Sequence, residues 1–148
     1  MSMLSTRGAA AVSESMAILR GLAPDGGLYV PEDFPHFSME EIAALGALDY
    51  QARALAILQK FLPDFTADEL KNAIAGAYGT GFDDADIAPV RPVGDWAHAL
   101  ELWHGPTAAF KDMALQMLPH LLTASLKKTG EEKTVCILVA TSSFCRIC

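Results

Sequence analysis

The sequence predicts an α/β chain with a helical N-terminal region followed by an incomplete parallel βαβ layer. Three observations point there. Helix caps and apolar residues at helical spacing recur between residues 8 and 80. The texture then changes at FDDADIAPVRPVG, where Pro89 and Pro92 restrict their neighbours and read as an extended connector. Beyond it come a strand candidate, HALELWH, a long apolar-striped helix, and the continuous run TVCILVA. Strand, helix, strand is the local signature of a βαβ unit.

In chain order, VSESMAILRG reads as a short helix capped by Ser13 and ended at Gly21. APDGGLYVP is a Pro-Asp-Gly turn into a short extended piece. SMEEIAAL opens with a capping box, Ser38 to Glu41. DYQARALAILQKFL carries a helical stripe of Ala54, Leu55, Leu58, Phe61 and Leu62. TADELKNAIAGAYG repeats the box with Thr66 and Glu69 and stops near Gly79. TAAFKDMALQMLPHLLTASLKK is striped by Ala114, Leu118, Leu121, Leu122 and Leu126, and Pro119 inside it predicts a kink or a break. TVCILVA, rich in β-branched residues and lacking polar alternation, reads as a central parallel strand covered on both faces. The domain reading is therefore residues 1–80, mainly helical, and residues 81–148, the start of an α/β region. That layer has too few strands to cover such a strand, so the chain is expected to be truncated after about residue 142.

Composition narrows the function classes. The chain has 148 residues, enough for one domain, with 51% hydrophobic and 20% charged residues, the balance of a packed globule. Its 18 acidic and 11 basic residues give a net charge of −7, and no basic cluster exceeds Lys127-Lys128. Nucleic acid and anionic membrane are therefore poor partners, since neutralising phosphates needs clustered cations. No apolar run reaches the roughly 18 residues of a spanning helix. Three cysteines without a secretory signal point to a reducing compartment, the cytoplasm by default. Cys145 and Cys148 form a C-x-x-C, but no helix follows to activate a redox pair and no second pair completes a zinc site. No metal site is expected.

The informative residue is Lys111, within ELWHGPTAAFKDMALQMLP. A lysine near a helix start is ordinarily solvated, its stem lying over apolar neighbours. Here a Gly-Pro turn fixes the preceding backbone, Thr107 is placed to cap the helix, and Ala109, Phe110, Met113 and Ala114 are apolar or small. A partly dry site at a helix start favours the neutral amine, the form that attacks a carbonyl to give a Schiff base. Asp112 would oppose this if it sat close. His104 reads first as a hydrogen-bonded structural residue, and Trp96 and Trp103 as core or cleft wall.

ELWHGPTAAFKDMALQ resembles the pyridoxal-phosphate attachment segment of threonine synthases, and LSTRG and GLAPDGGLYVPEDFP resemble that family's opening motifs. The resemblance spans about residues 4 to 142. It implies a fold-type-II, tryptophan-synthase-β-like pyridoxal-phosphate enzyme in which Lys111 holds pyridoxal 5'-phosphate as a Schiff base. The implied reaction converts O-phospho-L-homoserine and water to L-threonine and phosphate, with Lys111 as catalytic residue. Thr141 and Ser142 of VATS would be the remnant of a substrate-side loop, but Ser143-Phe144-Cys145 follows where the family has Gly-Asp-Thr-Gly. The chain is expected to be inactive as it stands. The competing reading is a non-enzymatic truncated product, or a binding module that associates through an open sheet edge.

Overall fold

A computed structural model describes residues 2–132 and 134–137. The chain begins with β1 (Met3–Ser5), α1 (Glu14–Arg20) and β2 (Tyr29–Pro31). β1 and β2 pair antiparallel, Met3 opposite Pro31 and Ser5 opposite Tyr29. The two opening motifs thus meet in space. Their junction is Asp25, whose carboxylate accepts from Ser5 Oγ at 2.8 Å, Gly27 N at 2.9 Å and Ala9 N at 2.7 Å. The Gly27 N–H, helped by Ser5 and Ala9, holds that carboxyl below its ordinary range despite some desolvation.

Three helices follow: α2 (Met39–Gly46), α3 (Tyr50–Phe61) and α4 (Ala67–Tyr78). Their starts are chemically explicit. The Ser38/Glu41 and Thr66/Glu69 boxes are both closed, side chain to backbone in each direction. Asp49 Oδ1 accepts from Ala52 N at 2.7 Å to start α3. α1 is capped by Ser13 and closed by Gly21 at φ 70°, as expected. Its first turn is also tied to the α3–α4 loop, because Ser15 donates through N and Oγ to Asp64 Oδ2.

The core gathers on α4. Leu70, Ala73, Ile74, Ala77 and Tyr78 are buried, and Ile87 and Met117 join Ala73 to Tyr78 in one cluster. Ala54, Leu55 and Leu58 of α3 pack against it from one side. From the other side comes α6 (Leu118–Thr129), which also receives α1 along its length. α4 and α6 approach closely at Gly76, where an added Cβ would collide with the His120 ring. Pro119 sits in the first turn of α6 and separates it from the four-residue α5 (Asp112–Leu115), so the striped segment is a broken helix.

The second region departs from expectation. FDDADIAPVRPVG is more than a connector, since it contains β3 (Val90–Val93). β3 pairs antiparallel with β4 (Ala97–Leu100), the middle of HALELWH, with Val90 opposite Leu100 and Val93 opposite Ala97. Pro92 is accommodated because a two-stranded hairpin leaves outward positions that need no ladder donor. Both sheets among the described residues are therefore antiparallel pairs rather than a parallel layer. Residues 134–137 of TVCILVA carry no strand, and residues 138–140 lie outside the described residues. Trp96 and Trp103 are 86% and 51% exposed, so neither is a core residue. Trp96 lies in the turn between β3 and β4, and Trp103 lies just beyond β4.

Candidate functional site

The segment from Trp103 to Met113 forms a hooked loop leading into α5. His104 anchors its entry. The ring lies between two carboxylates, Nδ1 at 2.6 Å from Asp83 Oδ1 and Nε2 at 2.8 Å from Glu101 Oε2, and its carbonyl accepts from Asp83 N at 3.0 Å. Glu101 first, then Asp83, raise the imidazole above its ordinary range. The structural reading of His104 therefore holds.

Asp112 anchors the exit. It is 1% exposed, and its Oδ2 accepts from both Thr107 N and Thr107 Oγ1 at 2.9 Å. Thr107 was expected to cap the helix, and it does not. The N-cap position of α5 is Lys111, with no side-chain cap, because the Thr107 hydroxyl is turned back onto Asp112. Gly105 makes room for this closure, since a Cβ there would collide with the Asp112 carboxylate. Between the anchors Ala108 takes φ 54°, a left-handed conformation unusual for alanine, and its N–H donates to Gly105 O at 3.0 Å. Beyond Lys111, the Tyr78 hydroxyl donates to Met113 O at 2.6 Å. Burial, then the neighbouring Tyr50 ring, hold the Tyr78 proton on more tightly than in a free phenol.

Lys111 thus stands between two fastened positions, 107 and 113. It is exposed, as is Phe110 at 66%, and its Nζ lies 5.4 Å from the Phe110 ring centroid. The partial dryness expected of Lys111 is not found. α5 has only four residues, and the apolar neighbours of the lysine form the rim of a groove rather than its roof. That groove, about 570 Å³, is lined by Lys111, Phe110, Leu102, Val90, Leu100 and Arg53, among others. A second apolar groove of about 480 Å³ meets it at Tyr50, Met113 and Ala114 and runs between α3 and α6. Arg53 is held by its own duties, donating to Leu45 O and Leu48 O at the end of α2.

Lys111 shows no ion pair among the described residues, so the arrangement presents a primary amine at the mouth of an apolar groove. Such an amine can add to an aldehyde, and the apolar walls suit a flat aromatic ring. Thr141 and Ser142 lie outside the described residues, as do Cys145 and Cys148. No cluster of three or more metal-ligating side chains occurs among the described residues. None of the helices there is long and apolar enough to cross a membrane. Sequence reasoning missed the work of Asp112. A carboxylate five residues after a threonine was the available signal.

Comparison with known proteins bears on these residues. The family model described as threonine synthase N terminus matches residues 2–78. Threonine synthase from Pseudomonas aeruginosa is 45% identical over 144 residues, covering 96% of this chain and 30% of that protein. Human threonine synthase-like 1 is 40% identical over 131 residues, covering 86% of this chain and 17% of that protein. A crystal structure of PLP-bound threonine synthase from Brucella melitensis superposes with a TM-score of 0.83 at 39% identity, covering 88% of this chain and 28% of that one. The chain spans less than a third of the length of these relatives.

Proposed function

Because the chain belongs to the threonine synthase family, we propose that Lys111 is its attachment point for pyridoxal 5'-phosphate. We assign the activity it serves as conversion of O-phospho-L-homoserine and water to L-threonine and phosphate. The observation that carries this reading is the Lys111 amine, unpaired among the described residues, at the mouth of the apolar groove. The residues present fit the cofactor in kind. They offer a nucleophilic amine, open access for an aldehyde, and apolar walls from Phe110, Leu102 and Met113 for a ring. When bound, the cofactor supplies an electron sink for negative charge at the substrate α carbon.

The chain's own residues do the rest. Lys111 Nζ would hold the group through a covalent bond to its aldehyde carbon. With substrate bound, the same Nζ would be the group that moves protons at the substrate α and β carbons. The hook around Asp112 and the Tyr78–Met113 bond fix the backbone on either side of that amine. We read residues 1–80 as the family's N-terminal region and residues 81–148 as the start of its cofactor-binding region, with Thr141 and Ser142 as the remnant of a substrate-side loop. The whole reaction is assigned to a protein of the relatives' length.

Titration of the purified chain with pyridoxal 5'-phosphate tests the attachment. A visible absorption band should develop and should be lost in Lys111→Ala. A band of equal size in Lys111→Ala would sink the assignment. A second reading, association through the hairpin, is favoured by the exposure of Val90, Val93, Trp96 and Leu100. A defined oligomer with no band would select it.

A further inference from the structure

We infer that Asp112 is a positioning residue for Lys111, which it aims into the groove by closing the loop behind it; this rests on the proposed attachment of the cofactor to Lys111. Asp112 is the first residue of α5, and its side chain is directed away from solvent. One oxygen, Oδ2, is committed twice to Thr107, while the buried Oδ1 has no partner among the described residues. A half-satisfied buried carboxylate is an expensive way to make a turn, since an unpaired buried oxygen opposes folding. Plain loop closure needs no charge and no burial. Here the closure also demands a glycine at 105 and a left-handed alanine at 108. Strain and unsatisfied polarity gathered within a few residues of a reactive amine are a pattern of pre-organisation. The loop cannot relax without moving Lys111, because position 113 is independently tied to Tyr78.

The test is reductive trapping of pyridoxal 5'-phosphate on the 148-residue chain with cyanoborohydride, followed by peptide mapping. The reading is the ratio of label on Lys111 to label on Lys71, whose side chain is 61% exposed. A wild-type ratio near one would sink the proposed attachment itself. With a wild-type ratio well above one, Asp112→Ala and Gly105→Ala should lower it by about tenfold, the scale expected when a reacting group is displaced. Asp112→Asn keeps an acceptor for Thr107 and should restore most of the ratio. Should Asp112→Ala fail to fold by circular dichroism, Thr107→Val carries the test, because Thr107 is exposed and loses only one of its two donors. It should lower the ratio by about threefold. An unchanged ratio in folded Asp112→Ala, in Gly105→Ala or in Thr107→Val would overturn the inference. So would a loss in Asp112→Asn as large as in Asp112→Ala.

Discussion

α4 closes on buried side chains, Leu70 and Ile74 above all, at 0% and 2% exposure. From Val90 to Phe110, by contrast, Val90, Trp96, Leu100, Trp103 and Phe110 are each more than half exposed, and Val93 is 47% exposed. The first element is ordered by burial. The second is ordered by polar fasteners: His104 between Asp83 and Glu101, Asp112 on Thr107, and Tyr78 on Met113. The contrast teaches that a lysine can be held in place without being enclosed. Its backbone is fixed by directional bonds, and its side chain stays open to a ligand.

The largest expected effect tests the burial side. Leu70→Ala should lose about 2–5 kcal/mol in urea denaturation, the range for emptying a closed core site. Leu100→Ala, at a residue 56% exposed, should change stability by no more than about 0.5 kcal/mol. Equal losses would erase the distinction between the regions. A smaller effect tests a fastener. Tyr78→Phe removes the donor to Met113 O while keeping the ring against Tyr50, and should cost about 1–1.5 kcal/mol. No loss there would mean that the bond holds nothing.

The smallest effect depends on pH. Glu101 and Asp83, with Asp84 nearby, raise the His104 pKa on folding. The charged ring is therefore the form the fold favours. Its stabilisation is fully present below the ordinary value of 6.5 and is lost as pH rises through the folded value. Urea midpoints taken across that window should fall with rising pH, and His104→Gln should flatten the slope. A rise with pH in the native chain would contradict the clamp.

What the sequence made legible follows the same divide. The boxes at Ser38/Glu41 and Thr66/Glu69 are chemistry within four residues, so they are readable without knowing what packs nearby. β1 and β2 were not legible as a pair. Each has three residues, and their partners lie more than twenty positions apart. The β3–β4 hairpin was hidden by Pro92, which argues against a strand unless the strand is an edge. At the candidate site, the motif singled out Lys111 but did not reveal its exposure. Flanking apolar residues show what a segment could bury, and only tertiary packing decides whether something covers them. Thr107 was misassigned because an N-cap and a backward bond to Asp112 begin from the same residue type.

The docking of α1 on α6 has a consequence for how this chain is made. α1 ends at Arg20, and the helix that covers it does not begin until Leu118. During synthesis the first helix must therefore wait, not yet covered by α6, until Leu118–Thr129 has left the ribosome. Native contacts between such distant segments slow folding, and the delay gives chaperones a window in which to bind.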